Sequence, residues 1–186
     1  AGIASLHAPM AKHLTLRGAD DPYSRYLLDS LRFTDEITYN VAPDPRNITA
    51  TARGELRGGN LAVLNGLADT PFDMLHISDN EQVILFIEDI AEKVYAVQRM
   101  LIRLSLSGNL QRLAGLIVGR FTEYGADRNY PSMEEMISAL LKRLGVSFPV
   151  AFNFPVGHVD DNLTLIEGAR ASLRVTPEAV ILKMSK

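Results

Sequence analysis

The sequence contains no cysteine, and it has no apolar run that approaches the length of a membrane span. Without cysteine, disulfide bonds, thiolate metal sites and a cysteine nucleophile are all excluded. A membrane-spanning helix needs about 20 predominantly apolar residues. We therefore expect no membrane partner for this chain.

Charge of one sign is not concentrated anywhere in the sequence. The 19 basic and 22 acidic residues are mixed along the chain and give a net charge of −3. Nucleic-acid and anionic-membrane binders carry clusters of Lys and Arg, so neither partner is expected. His7, His13 and His76 are scattered, and no H-E-x-x-H motif is present, so no metal site is predicted.

What the sequence does contain is an alternation of strand and helix patterns. Continuous apolar runs predict strands that are buried on both faces, because a strand with one wet face alternates. These strands are predicted at residues 83–87, 116–119 and 150–154, with helices at 92–107 and 132–144 between them. The last residues predict a meander of strands at 163–166, 171–175 and 180–183. The fold class is therefore α/β, a mixed sheet with helical cover.

A turn near residue 45 separates the beginning of the chain from this pattern. Pro43 and Pro45 bracket the turn, and proline is typical of linkers. Before it, a helix is predicted to start near Pro22 and a strand at residues 36–41. The main domain is therefore predicted to span residues 46–186.

Titratable side chains follow two of the predicted strands. Glu88 and Asp89 come directly after the most apolar strand, and His158 follows the strand at 150–154. In open α/β sheets the reactive groups gather beyond the carboxyl ends of strands, so an acid and a base could meet there. In the alternative interpretation, Asp89 caps the next helix and Gly157-His158 is a solvated turn.

Other candidates for chemistry are less specific. The segment Gly58-Gly59-Asn60 opens a predicted helix, where free backbone N–H groups could bind a carboxylate. The alternative is a tight turn capped by Asn60. No serine lies in a G-x-S-x-G elbow, and Ser105 and Ser107 fall in the last turn of a helix. The sequence therefore offers no convincing nucleophile.

Several segments, in the right order, resemble the LD-carboxypeptidase family of serine peptidases. The resemblance covers nearly the whole chain and is carried by His7-Ala8-Pro9-Met10, Arg57-Gly58-Gly59-Asn60, the Leu85-Phe86-Ile87-Glu88-Asp89 strand, Arg99-Met100-Leu101, Gly115–Phe121 and Phe154-Pro155-Val156-Gly157-His158. It implies a small C-terminal domain of the swivelling β/β/α type. It also implies that residues 1–45 are the end of an N-terminal domain and the linker after it.

The resemblance also implies roles for individual residues. Glu88 would be the acid and His158 the general base of a Ser-Glu-His triad. The serine and the oxyanion hole would belong to the N-terminal domain, before this sequence begins, so the chain alone is expected to be inactive. Arg57, Arg120 and the amides of Gly58, Gly59 and Asn60 are candidates for binding a substrate carboxylate. No metal or organic cofactor is implied.

The implied reaction is removal of the terminal D-alanine from a murein tetrapeptide, by hydrolysis of an L,D-peptide bond. It would take place in the cytoplasm during peptidoglycan recycling, in a protein with a homodimeric habit. One alternative within the family is a microcin-immunity peptidase that acts on peptidyl or aminoacyl nucleotides. Another is a stand-alone, non-enzymatic binding or dimerisation module.

Overall fold

The computed structural model describes residues 3–32 and 36–185. Its helices are α1 (Ala11–Arg17), α2 (Pro22–Leu31), α3 (Leu61–Gly66), α4 (Val94–Leu106), α5 (Asn109–Arg112) and α6 (Met133–Arg143). Its strands are β1 (Ser5–His7), β2 (Glu36–Val41), β3 (Ala50–Asn60), β4 (Val83–Ile90), β5 (Gly115–Thr122), β6 (Val150–Ala151), β7 (Leu165–Glu167), β8 (Arg170–Val175) and β9 (Val180–Ser185). None of the helices in these ranges combines the length and the apolar character needed to cross a membrane.

A seven-stranded mixed sheet organises the chain, as the sequence predicts. Its strand order is β2-β9-β8-β3-β4-β5-β6. The strands β3, β4, β5 and β6 run parallel, whereas β2, β9, β8 and β3 pair antiparallel. Strand β3 therefore belongs to both halves of the sheet. The predicted α/β class with mixed strands is confirmed.

Both faces of the sheet are covered, which explains the unbroken apolar run in β4. Val83, Leu85 and Ile87 point into a core shared with α3, α4 and α6. Ile84 and Phe86 point into a second core on the other face, shared with β7, β8 and β9. All five are at most 1% exposed. A strand buried on both sides needs no polar alternation.

Three strand predictions differ from the structure. Strand β4 does not end before Glu88 but continues to Ile90, because β3 pairs with it as far as Glu88 and β5 pairs with it as far as Ile90. Strand β6 has only two residues, since Asn153 takes a positive φ of 59° that ends the extended backbone. The predicted meander is a β8–β9 hairpin, because β7 turns away at Gly168 and pairs antiparallel with β1.

The region before residue 45 is linked to the sheet. Helix α2 starts at Pro22 as predicted, and the Asp21 carboxylate accepts hydrogen bonds from the N–H groups of Tyr23 and Ser24 at 3.0 Å each. Strand β2 forms the edge of the seven-stranded sheet by pairing with β9. The domain boundary near residue 45 stays a prediction. Strand β2 precedes this boundary in the sequence but belongs to the same sheet as the strands that follow it.

Candidate active site

Glu88 lies near the carboxyl end of β4, where the sheet has a local irregularity. The register between β4 and β5 shifts there, so that Ile87 pairs with Val118 while Asp89 pairs with Phe121. Glu88 alone therefore faces two residues of β5. Such bulges re-aim side chains and are common beside active sites. The Glu88 side chain is 1% exposed.

The structure brings Glu88 and His158 together. The Glu88 Oε2 atom lies 2.8 Å from His158 Nδ1, although the residues are 70 positions apart. The His158 side chain is 46% exposed, so the ring runs from the buried carboxylate to the surface. Its loop follows β6 and is fixed by a 3.0 Å hydrogen bond from the Gly157 N–H to Asn162 Oδ1.

The ionisation of Glu88 determines which nitrogen of His158 carries the proton. Burial raises the pKa of Glu88, but contacts with His7 and His158 outweigh burial and leave the pKa below its ordinary value. An ionised carboxylate can only accept hydrogen bonds, so Nδ1 of His158 must donate. The Nε2 atom is then left unprotonated on the neutral ring. This arrangement is that of a general base oriented by a buried acid.

His7 is a site residue that the sequence did not assign. Its Nε2 atom lies 3.6 Å from Glu88 Oε1, the oxygen that His158 does not use. The ring also packs edge-to-face on Phe86, with centroids 5.2 Å apart. The signal in the sequence was the His7-Ala8-Pro9-Met10 segment, whose resemblance to the family did not indicate a contact with Glu88.

An open cavity of about 720 Å³ lies in front of this pair. Its walls are formed mainly by the β1–α1 segment and the loop that carries His158. They include basic, acidic and apolar side chains, namely His7, Met10, Lys12, His13, Leu16, Arg17, Ile90, Glu123, Val159 and Asp160, besides His158 itself. Arg17 Nη2 and Asp160 Oδ2, 2.6 Å apart, join the two walls. The volume is within the usual range of ligand pockets, and His158 lines the cavity.

Asp89 has a structural position beside the site. It is 2% exposed, and its carboxylate accepts hydrogen bonds from Asn60 Nδ2 at 2.7 Å and from the Ala62 N–H at 2.9 Å. Asp89 therefore caps α3. The alternative interpretation, in which Asp89 caps the helix after it, is wrong because the N-cap of α4 is Lys93 and α3 lies closer to the end of β4.

The Gly58-Gly59-Asn60 segment is the end of β3, paired with β4 residue by residue. Asn60 Oδ1 accepts from the Val63 N–H at 3.0 Å and so caps α3. Arg57 is held by Glu55 at 2.7 Å and by a short contact with Glu81. Glu81 also accepts a hydrogen bond from the Ser78 N–H. The hydrogen bond from Arg57 is the largest of the causes that lower the pKa of Glu81 to about 2. Carboxylate binding by Arg57 and by the amides of Gly58, Gly59 and Asn60 stays a prediction.

Arg120 contacts the segment that carries His158. Its guanidinium contacts Asn153 through Nη1 and lies 3.6 Å from Asp161 Oδ2 through Nη2. Both partners belong to the segment that carries His158. The Arg120 N–H also donates to the Val156 carbonyl at 2.8 Å. The observed contacts therefore fix the histidine loop to β5, and carboxylate binding by Arg120 stays a prediction.

A metal is not suggested by the grouping of the acidic and imidazole side chains. Across residues 3–32 and 36–185, no three His, Asp or Glu side chains come together in the way that a metal-binding group requires. Glu88 does bring two histidines near one carboxylate, but each nitrogen faces an oxygen of Glu88 rather than a shared point.

Gly157 makes the approach of Glu88 to His158 possible. Its φ is 133°, and a Cβ atom there would lie 3.1 Å from Glu88 Cβ and 3.2 Å from Glu88 Oε2. We expect Gly157→Ala to displace the carboxylate by a few tenths of an ångström and to lower the turnover of the whole protein by up to about 10-fold, less than the roughly 100-fold that a misplacement of about 1 Å can cause. Gly145→Ala is the matched control, since Gly145 also has a positive φ, of 71°, and no atom lies within 4 Å of its Cβ position. Equal turnover in wild type and Gly157→Ala would contradict this prediction.

Comparison with known proteins places the chain in a family. Residues 53–173 match the sequence model of the LD-carboxypeptidase C-terminal domain. The chain belongs to the LD-carboxypeptidase family. The matched range includes Glu88 and His158 and lies within the predicted main domain.

Among relatives in the LD-carboxypeptidase family, a Synechocystis sp. protein named as a carboxypeptidase is 36% identical over 176 residues. This match covers 92% of the present chain and 54% of the relative. A Bacillus subtilis protein named as a murein peptide carboxypeptidase is 29% identical over 188 residues, covering 98% of the chain and 56% of the relative. The chain thus spans about half the length of these relatives.

Solved structures agree with the LD-carboxypeptidase assignment. The muramoyltetrapeptide carboxypeptidase of Oxalobacter formigenes has 31% identity and a TM-score of 0.82, with 100% of this chain and 62% of that chain covered. The microcin C7 self immunity protein MccF has 18% identity and a TM-score of 0.75, again with 100% and 62% covered. At that identity the likeness to MccF is one of fold.

Proposed function

We propose that this chain is the C-terminal part of a serine LD-carboxypeptidase and supplies two members of a Ser-Glu-His triad. The observation that carries the proposal is the 2.8 Å hydrogen bond between buried Glu88 and half-exposed His158, at the wall of an open cavity. A buried acid that orients an imidazole at the end of a sheet strand is the arrangement that activates a hydroxyl nucleophile.

In the proposed reaction, Nε2 of His158 takes the proton from a serine hydroxyl as its oxygen attacks the carbonyl carbon of the scissile bond. The resulting imidazolium is stabilised by Glu88 and then donates its proton to the departing amine. Water hydrolyses the acyl-enzyme through the same base, which regenerates the serine. Every proton in this cycle moves through Nε2 of His158, so no metal or organic cofactor is invoked.

We further propose that the serine and the oxyanion donors belong to an N-terminal domain outside this chain. Two observations support this. The matched relatives are about twice as long as the chain. In the part of the chain that the structure describes, no serine hydroxyl hydrogen-bonds to His158, whose Nδ1 is bonded to Glu88. The chain by itself is therefore proposed to be inactive.

The proposed substrate is a murein tetrapeptide that loses its terminal D-alanine. The names of the Bacillus subtilis relative and the Oxalobacter formigenes enzyme support this class of substrate. The cavity wall also carries Lys12, an exposed cation suited to an anionic peptide. Cytoplasmic cell-wall recycling and a homodimer complete the proposal. No aromatic side chain other than histidine lines the cavity among the described residues, which disfavours the stacking of a nucleotide base.

The experiment that tests the proposal is a product assay on the whole protein encoded by the reading frame that contains this chain. The purified protein is incubated with L-Ala-γ-D-Glu-meso-diaminopimelate-D-Ala, and free D-alanine is measured. We expect release from the whole protein and a rate lower by about a million-fold from the 186-residue chain alone. A parallel incubation uses an aminoacyl sulfamoyl nucleoside. Cleavage of that compound, with no D-alanine released from the peptide, would sink the tetrapeptide proposal in favour of the microcin-immunity type.

A further inference from the structure

Both oxygens of the Glu88 carboxylate face a histidine, although a triad requires only one. Oε2 lies 2.8 Å from Nδ1 of His158, and Oε1 lies 3.6 Å from Nε2 of His7. The second contact is slightly longer than a hydrogen bond, so in this structure it is a close electrostatic contact between a ring nitrogen and a carboxylate oxygen. The reaction proposed above gives His7 no task.

His7 is held firmly in this position. It is the last residue of β1 and pairs with Leu165 of β7. Its ring packs edge-to-face on Phe86, a fully buried residue of β4, at an interplanar angle of 77°. The side chain is 19% exposed. A ring fixed by a strand pairing and by an aromatic contact loses little further entropy when it binds the carboxylate.

The surroundings of the His7 ring also indicate where its proton lies. Nε2 faces the carboxylate, whereas Nδ1 is buried and has no hydrogen-bond partner among the described residues. A proton on Nδ1 would be a buried donor with no acceptor, which is unfavourable. The arrangement therefore favours the neutral tautomer with hydrogen on Nε2. In that tautomer, Nε2 of His7 offers Glu88 a donor.

We propose that His7 is a positioning residue that donates through Nε2 to Oε1 of Glu88, so that Oε2 stays directed at Nδ1 of His158. This inference rests on the proposed function, because the residue acts on the reaction through Glu88. One carboxylate thus takes part in two contacts, one with β1 and one with the loop after β6. With Oε1 held, the carboxylate cannot rotate away when the imidazolium forms and breaks.

The other charged groups near Glu88 have partners of their own. Asp89, the next residue on β4, accepts from Asn60 and from the start of α3. Arg120 on β5 contacts Asn153 and Asp161. Among the described residues, the titratable groups that face the Glu88 carboxylate are therefore the two histidines.

The test compares His7→Gln with His7→Leu in the whole protein. Glutamine carries an amide N–H at about the reach of Nε2 and cannot become a cation, whereas leucine has similar size and no donor. We expect His7→Gln to keep kcat within about threefold of wild type. His7→Leu should lower kcat by about 10- to 100-fold with little change in KM, because the loss is one of orientation. His76→Gln, an exposed histidine elsewhere, is the control.

Equal losses in His7→Gln and His7→Leu would overturn the proposal, and so would wild-type turnover in His7→Leu. A second measurement does not depend on activity. In the 186-residue chain, the ¹⁵N shifts of His7 should report the tautomer with hydrogen on Nε2. The ¹³C titration of Glu88 should move to higher pH in His7→Leu, because a contact that lowers its pKa is lost.

An Nδ1–H tautomer for His7, or an unchanged Glu88 titration, would refute the contact even if the enzyme is active. If the whole protein cleaves no peptide, the proposed function fails while these NMR results still decide whether His7 binds Glu88. The failure of one hypothesis can therefore be told from the failure of the other.

Discussion

His158→Gln should lower the turnover of the whole protein by about 10⁶-fold, and Glu88→Gln should lower it by about 10⁴-fold. Glutamine at 158 removes the nitrogen that takes the serine proton. Glutamine at 88 replaces an oxygen acceptor with an amide that can present N–H to Nδ1, and this favours the wrong tautomer of His158. Both variants should bind substrate with a similar KM, because neither removes a proposed binding group.

The pair Glu88→Gln and His158→Gln also permits a double-mutant test. Residues that act as one unit lose activity together, so the double variant should be no more than a few-fold slower than the slower single variant. Rates are measured as D-alanine release at saturating tetrapeptide, and thermal midpoints verify that the variants fold. Multiplicative losses would mean that the two residues act independently, against the 2.8 Å contact between them.

Gly58→Ala should destabilise the fold by about 4 kcal/mol, the largest effect on stability that we expect from a single methyl group. Gly58 has φ 157° and pairs with Phe86 in the parallel β3–β4 ladder. A Cβ atom there would meet the Phe86 carbonyl oxygen at 2.0 Å and the Phe86 ring at 2.5 Å. The carbonyl belongs to a central strand and cannot move aside without breaking the ladder. Overpacking and backbone strain therefore add.

The neighbouring Gly59→Ala is the matched control. Gly59 has φ 136°, so alanine is strained there too, but no atom lies within 4 Å of its Cβ position. We expect a loss of about 1–2 kcal/mol from strain alone. Urea unfolding of both variants gives the free energies of unfolding. Similar losses for the two variants would contradict the close contact with Phe86.

Much of the fold could be predicted from the sequence because the signals are local. The run from Val83 to Ile87 has no polar alternation, and the structure buries both of its faces. The strand–helix order then implies parallel strands whose carboxyl ends share an edge. This edge is where Glu88 and His158 were expected, and the structure places them there in contact.

The parts that could not be predicted depend on contacts between distant residues. The pairing of β7 with β1 joins positions about 160 residues apart, and no local pattern indicates it. Asp89 caps α3 rather than the next helix because Asn60 and Ala62 reach it across the sheet. The approach of His7 to Glu88 follows from the same long-range pairing, so the sequence could indicate the histidine but not its contact.

The double pairing of β3 has a consequence for how the protein is made. Strand β3 binds β4 on one side, but its partner on the other side is β8, which begins at Arg170. During translation, β3 to β6 can assemble while residues 170–185 are still inside the ribosome. One edge of β3 then has unpaired backbone N–H and C=O groups, and such an edge readily pairs with a strand from another polypeptide. We therefore expect the nascent protein to be most prone to aggregation, and most dependent on chaperones, just before the β8–β9 hairpin emerges.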